Sequence, residues 1–272
     1  MFLNAERNMM KTKPLNLVQT IERVSRILEL VAQGSQGISI RDLSSRLNLP
    51  KGTVHRLLSS LAYCGYIKQD SVTKNYLLGL KILELGNLVI NQLDLRKIAE
   101  PFLKELAETT KETAHMVIMD NNEVVYIDKI ETEQNFGGLK MASRVGSRNF
   151  AHCCAVGKVL LMYFSEEELD AMIKEKGLPK RTDNTIVDPA RFKEHLKTVR
   201  GQGYAIDDEE NEKGIRCVAA PVLDGKGKAV AAISISGPAF RVTKKLAGDT
   251  LKKEVIGAAL KISKLLGFQK NT

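Results

Sequence analysis

The stretch Asn48-Leu-Pro-Lys-Gly-Thr-Val-His-Arg-Leu-Leu-Ser-Ser-Leu-Ala62 decides how the chain is read. Val54, Leu57, Leu58 and Leu61 recur at helical spacing and form one apolar stripe. Lys51, Thr53, His55, Arg56, Ser59 and Ser60 fall on the other side. Such a polar face belongs either to a plain solvated helix or to a helix lying in a DNA major groove. In the groove, Arg and Lys read guanine edges and Ser or Thr reach phosphates. The flanking residues decide between the two.

Upstream, Ile21, Val24, Leu28 and Val31, with Ile27 and Leu30 beside them, mark an amphipathic helix that stops at Gln33-Gly34-Ser35-Gln36-Gly37. Ser39-Ile40-Arg41-Asp42 is a capping-box pattern with Asp in place of Glu, opening a short helix with Ile40, Leu43 and Leu47 inside. Asn48-Leu49-Pro50 is the turn, and Pro is well tolerated at the start of the next helix. Three helices, the last two joined tightly, make a helix-turn-helix. Downstream of Gly65, Tyr66–Asp70 and Lys74–Leu78 read as two short strands, a wing. The expected DNA-contacting set is Arg41, Lys51, Gly52, Thr53, His55 and Arg56 from the helices, with Lys68 and Lys74 from the wing. A winged module that binds protein is the alternative.

At 272 residues, 43% of them hydrophobic, the chain is long enough for two domains with cores of their own. No run approaches the ~18 apolar residues of a membrane span, and the first residues lack the apolar centre of a signal peptide. A cytoplasmic protein without membrane partners is expected. The four cysteines (Cys64, Cys153, Cys154, Cys217) form no disulfide framework and no Cys-x-x-Cys pair, so reduced thiols are expected. The formal charge of +9 is uneven: residues 1–80 hold 11 Lys and Arg against 5 Asp and Glu, the remaining 192 hold 30 against 27. The excess sits where a nucleic-acid-binding segment would carry it.

Leu80 to Leu93 is apolar nearly all round a helix, with Ile82, Leu83, Leu85, Leu88, Val89 and Ile90. Such a helix needs cover, either from the same helix of a second subunit or from the chain's own second domain. A palindromic site calls for a two-fold protein, which favours the second subunit. A further helix (Leu95, Ile98, Phe102, Leu103, Leu106) leads on. Strands are expected at Thr113–Asp120 and Glu123–Ile130, joined by Asn121-Asn122, and a third at Gly138–Val145. Helices follow at Ala155–Phe164, Glu166–Lys176 and Pro189–Gln202. Strands return at Tyr204–Asp207, Ile215–Leu223 and Lys228–Ser236, and a last helix runs from about Thr243 to Leu266. This order implies an α+β fold, a mixed sheet covered by helices.

Phe150-Ala-His-Cys-Cys-Ala-Val-Gly-Lys158 puts small residues at a helix start. Free N–H groups around Cys154, Ala155 and Val156 would favour an anion, whereas plain close packing is the bland reading. The Gly157-Lys158 pair lacks the spacing of a phosphate loop. Ser234 and Ser236 share one face of a strand otherwise made of core residues. Their hydroxyls either bond to neighbouring backbone or line a polar pocket.

Taken together, Gly203-Tyr-Ala-x-Asp207-x-Glu-Glu, Gly214-x-x-Cys217-Val-Ala-Ala-Pro221 and Ala232-x-Ser234-x-Ser236-Gly-Pro238 resemble the signature of IclR-type transcriptional regulators. Thr53-Val-His-Arg-Leu57 and Cys154-Ala-x-Gly-Lys158 fit the same family in order and spacing, from about Val18 to the last helix. Residues 1–15 have no apolar period and read as a flexible leader. The resemblance implies a winged helix-turn-helix at 16–79, a linker and dimerisation helix at 80–94, and a GAF-like effector-binding domain at 95–272. It implies a regulator, a repressor more than an activator, that binds a palindromic operator as a dimer or dimer of dimers. Its effector is a small organic acid, and no cofactor is implied. That acid is expected to meet Ala155 and Val156 at the helix start beside Cys154, the side chains of Asp207, Cys217, Ser234 and Ser236, and an apolar wall with Met141 and its neighbour Leu139. Ala155 stands where members often carry Ile or Gly, and Ala142 where a larger aromatic is common, so the size of the pocket is left open.

Three other readings compete. His152, Cys153 and Cys154 offer an enzyme both base and nucleophile, but adjacent residues point apart and cannot form the pair that activation requires. His115, His152 and the cysteines lack zinc-ligand spacing. An architectural DNA protein would leave most of the chain without a purpose. The expected protein is therefore not an enzyme and holds no metal.

Overall fold

The computed structural model describes residues 16–34, 36–91, 94–132 and 141–269, so the leader expected at 1–15 lies outside the described residues. The chain divides into two compact units, Met1–Gln92 and Leu93–Thr272.

In the first unit, α1 (Gln19–Gln33), α2 (Ile40–Leu47) and α3 (Lys51–Tyr63) precede a hairpin of β1 (Ile67–Gln69) and β2 (Tyr76–Leu78). Ile27, Val31, Leu43, Val54, Leu58, Leu61, Ile67 and Tyr76 form its core. Ile21 was expected inside but is 63% exposed: it lies in the first turn of α1, before the buried stripe begins. Ser39 caps α2, its Oγ accepting from the Asp42 N–H at 3.1 Å and donating to Asp42 Oδ2 at 2.7 Å. Asp42, one methylene shorter than Glu, closes on the hydroxyl, so half of the capping box is present. Asn48 ends α2 in the left-handed region (φ 52°) and turns the chain into α3. Ile38 adds to the wing by exchanging two backbone hydrogen bonds with Tyr76. The unit closes with α4 (Leu80–Asn91), where Leu80, Leu83 and Leu88 are 79%, 60% and 52% exposed.

The second unit begins with α5 (Asp94–Thr110) and is built on a six-stranded sheet, antiparallel in every pairing. Its strands are β3 (Thr113–Asp120), β4 (Glu123–Ile130), β5 (Arg148–Phe150), β6 (Ala205–Asp208), β7 (Ile215–Leu223) and β8 (Ala229–Pro238), in the order β5-β4-β3-β8-β7-β6. Asn121 and Asn122 both have positive φ, the conformation a two-residue hairpin needs. The third strand expected at Gly138–Val145 is a correction: residues 138–140 lie outside the described residues, and 141–147 are not strand. Arg144 and Ser147 bond to each other across a turn that holds Gly146 at φ 84°. The edge therefore forms later, where Arg148–Phe150 pairs with Glu123–Val125.

One sheet face packs on α5 and α10 (Lys252–Leu265), the other on α6 (Ala155–Leu161), α7 (Glu166–Lys176) and α8 (Pro189–Gln202). Ser165 and Glu168 complete a reciprocal capping box on α7, and Asp188 with Pro189 opens α8. The single helix expected at the C-terminal end is instead α9 (Lys244–Leu246), a π turn (Ala247–Leu251) and α10. The loop before α8 bonds to the backbone at the end of β6 and just past it. Asn184 Nδ2 donates to the Asp208 carbonyl at 2.9 Å, Thr182 Oγ1 to that of Glu209 at 2.7 Å and Thr185 Oγ1 to that of Glu210 at 2.6 Å.

Candidate functional site

On α3 the apolar stripe turns inward and leaves Lys51, Gly52, His55, Arg56, Ser59 and Ser60 exposed, with Thr53 half-buried. The Ser60 hydroxyl donates to the Arg56 carbonyl at 3.0 Å and so serves the helix itself. No side chain caps the first turn of α3, and a Cβ at Gly52 would meet nothing within 4 Å. Arg41 is exposed on α2, Lys68 on β1 and Lys74 in the wing turn. Asp70 Oδ1 ties that turn by accepting from the Thr73 and Val72 N–H groups and the Thr73 hydroxyl. These bonds, the Thr73 N–H foremost, hold the Asp70 carboxyl below the usual carboxylate range.

The second candidate lies on the sheet face under α6. Cross-strand register lines up Thr113, Ser236, Cys217 and Asp207 in one row across β3, β8, β7 and β6. The neighbouring row on the same face reads Lys129, His115, Ser234, Ala219, Ala205. Four of the expected residues thus form one polar floor. Cys217 stands between Ser236 and Asp207 in the first row, and burial, then the Asp207 charge, pushes its thiol up. Cys154, Ala155 and Val156 begin α6 in the core cluster on this side of the sheet. Met141 is half-buried two residues before Ser143, and Leu139 lies outside the described residues.

Gly157 explains how α6 approaches so closely. A Cβ there would fall 2.1 Å from the Ala151 carbonyl oxygen, so only glycine fits. Lys158, one residue on, is fully buried. Its Nζ donates to the Ile206 carbonyl at 3.1 Å and pairs with Glu210 Oε1. Asp207 Oδ1 accepts from the N–H groups of Glu210 (2.7 Å) and Asn211 (3.3 Å). Burial raises Asp207 to about 7 against the pull of Lys158. Asn211 Oδ1 accepts from Asn149 Nδ2 at 3.0 Å, and Asn149 bears on the Tyr126 phenol. Tyr126 packs edge-on against His115, whose Nε2 meets Ser143 Oγ at 2.8 Å. Lys129 Nζ donates to the Ser143 carbonyl at 2.9 Å. Burial, then the Lys129 charge, lowers His115 to about 3 and keeps it neutral. Of these groups, sequence reasoning quoted Lys158 and Glu210 within motifs without giving them a place in the site, missed Tyr126 and Lys129, and weighed His115 only as a metal ligand. Strand alternation was the available signal for the strand residues, but only the register says which strands are neighbours.

The thiols are not poised for chemistry. Burial pushes Cys153 up to about 12, the opposite of an activated nucleophile, and its neighbour His152 is lowered by burial and bonded to the Pro179 carbonyl at 3.1 Å. Among the described residues no group of three or more His, Cys, Asp or Glu side chains is placed to hold a metal ion, and no helix is long and apolar enough to cross a membrane.

A three-helix unit with an open polar helix, followed by a helix-covered sheet with a polar floor, has counterparts among known proteins. Residues 87–264 match the family model described as bacterial transcriptional regulator IclR C-terminal, and residues 20–71 match the IclR helix-turn-helix domain. The chain belongs to the IclR family. It is 36% identical over 254 residues to the HTH-type transcriptional regulator XynR of Escherichia coli (strain K12), covering 93% of this chain and 98% of that one. It is 32% identical over 228 residues to the transcriptional repressor IclR of the same strain, covering 83% and 82%. The crystal structure of the Thermotoga maritima IclR superposes with a TM-score of 0.74 at 32% identity, covering 92% of this chain and 99% of that one. This IclR-family regulator therefore carries a DNA-binding helix-turn-helix and a C-terminal domain of the IclR type.

Proposed function

We propose that this IclR-family chain is a repressor whose hold on a palindromic operator is modulated by a small hydroxy- or keto-acid bound on the floor of its second unit. The observation that carries the reading is the row Asp207–Cys217–Ser236 with Ser234 alongside, facing the start of α6. Hydroxyls that donate or accept, a carboxylate that accepts and a backbone turn of small residues suit a short polar acid better than a fatty acid. The name of the related E. coli repressor supports repression over activation. On this reading the winged helix-turn-helix spans 16–79, the dimerisation helix 80–94 and the effector domain 95–272. Arg41, Lys51, Gly52, Thr53, His55, Arg56, Lys68 and Lys74 face the operator. Met141, Cys154, Ala155, Val156, Asp207, Cys217, Ser234 and Ser236 receive the acid. Exposed leucines on α4 support a homodimer, since a patch of that kind is covered in a working protein.

A thermal-shift screen against small organic acids, followed by calorimetry with the best of them, tests the site. A ligand of the folded state raises stability by mass action. Ser234→Ala with Ser236→Ala should abolish the shift and leave acid-free operator binding in place. Equal affinity of wild type and double variant would place the pocket elsewhere.

A further inference from the structure

We propose that Lys158 is a positioning residue of the acid-binding floor: it grips the Ile206–Glu210 turn at both ends, fixes the Asp207 carboxylate between them, and supplies the counter-charge beneath it. This inference rests on the effector reading above and goes on to say which chemistry Asp207 selects.

Lysine is almost never fully buried without a partner, and here the partner is Glu210. A purely structural bridge would end there. Instead Lys158 Nζ also takes the carbonyl of Ile206, the residue before Asp207, while Asp207 accepts the N–H groups of Glu210 and Asn211. The turn carrying Asp207 is thus held by one ammonium reaching in from α6. The charges are also unbalanced. Two buried carboxylates, Asp207 at 1% exposure and Glu210 at 6%, feel one ammonium. It pairs with Glu210 and acts on Asp207 through its charge, and Glu210 Oε2 has no hydrogen-bond partner among the described residues. A bridge replaceable by apolar residues would not leave a buried oxygen unpaired.

The groups facing Asp207 are Lys158 from α6, Glu210 from its own turn, Cys217 from β7, Cys153 and Cys154 from the segment before α6, and Tyr126 from β4. Burial keeps the three thiols and the phenol neutral, which leaves Lys158 and Glu210 as the charges that bear on it. An ionised Asp207 only accepts hydrogen bonds, so it selects a ligand hydroxyl. A protonated Asp207 can instead donate its O–H to a ligand carbonyl. With Lys158 in place the floor prefers a hydroxy acid to the matching keto acid, and the preference grows as pH rises through the range where Asp207 ionises.

The test reads Asp207 directly. Carboxyl-detected NMR of the full chain, assigned with Asp207→Asn, follows its titration in wild type, Lys158→Met, Lys158→Arg and Glu210→Gln. Lys158→Met should move the midpoint upward by roughly one pH unit or more, Glu210→Gln should move it downward, and Lys158→Arg should restore it. Both losses break the same ion pair, so a structural role would move the midpoint the same way in both. A midpoint unmoved by Lys158→Met, or displaced in the same direction by both, overturns the proposal. Should Lys158→Met not fold, Lys158→Gln takes its place, with the same upward movement expected and an unmoved midpoint overturning the proposal. Calorimetry with lactate and pyruvate supplies the second readout. The lactate-to-pyruvate affinity ratio should rise several-fold from pH 6 to pH 8 in wild type and rise less, and at higher pH, in Lys158→Met. A ratio that rises alike in both also overturns it. If neither acid, nor any other in the screen, binds wild type, the effector reading fails and the NMR titration still decides the role of Lys158.

Discussion

Replacing Gly157 with alanine adds one methyl group where the structure has no space for it. The new Cβ would lie 2.1 Å from the Ala151 carbonyl oxygen, 2.5 Å from its Cα and 2.6 Å from its carbonyl carbon. Heavy atoms settle at ~3.5–4.0 Å, so α6 and the preceding turn must part by about 1 Å. All three obstacles are backbone, and no side chain can swing aside. Overpacking of this kind costs about 1–3 kcal/mol, against which the helix-propensity gain of alanine over glycine returns about 1 kcal/mol. The same displacement stretches the Lys158 Nζ bond to Ile206, now 3.1 Å, beyond hydrogen-bonding range. Urea unfolding of the full chain should show a net loss of up to about 2 kcal/mol. The thermal-shift response to the best acid should fall with it. Gly257→Ala in α10 is the control, because nothing lies within 4 Å of its Cβ, and it should stabilise by up to about 1 kcal/mol. Wild-type stability and an undiminished acid response in Gly157→Ala would refute the reasoning.

Gly52→Ala meets open space in the fold, so it should leave stability intact or raised. A drop in operator affinity in a gel-shift assay would then report a close approach of the α3 backbone to DNA, and unchanged affinity would argue against it. Arg56→Ala should cost about 1–3 kcal/mol of operator affinity and relax preference at one base pair, whereas Lys68→Ala should lower the salt slope by about one unit without changing preference. Leu83→Asp puts a charge on the exposed apolar side of α4, and sedimentation should show dimer giving way to monomer. A wild-type monomer would remove the basis for that prediction. His115 is lowered from 6.5 to about 3, so the unfolded chain binds a proton that the folded one refuses. Its contribution to stability is complete above pH 6.5 and is lost as pH falls, at up to about 1.4 kcal/mol per pH unit. His115→Leu should flatten that acid slope in unfolding curves taken between pH 4 and 7, and an unchanged slope would contradict the burial argument.

Residues that act within a few positions of one another were readable from the chain. The stripe of α3, the Asn48 turn, the Asn121-Asn122 hairpin and the exact span of α7 and α8 follow from local rules of period, capping and turn chemistry. Ser234 and Ser236 stood out as hydroxyls on one strand face, Asp207 and Cys217 came from the family resemblance, and the register sets all four in adjacent rows. What sequence could not supply is long-range pairing. Glu210 lies 52 residues from Lys158, and Ser143 lies 28 from His115. The strand expected at Gly138–Val145 failed for a related reason. Its alternation was acceptable, but Arg144–Ser147 spends its hydrogen bonds on a turn before reaching β4.

The two margins of the six-stranded sheet are short, three residues in β5 and four in β6. At the end of β6 and just past it, three successive carbonyls are already taken by Asn184, Thr182 and Thr185. A sheet finished in this way gives a foreign strand little backbone to zip onto, which guards against fibril-like stacking at high cellular concentration. The exposed leucines of α4 belong to the other unit, so they can be changed one residue at a time without altering the sheet that carries the polar floor.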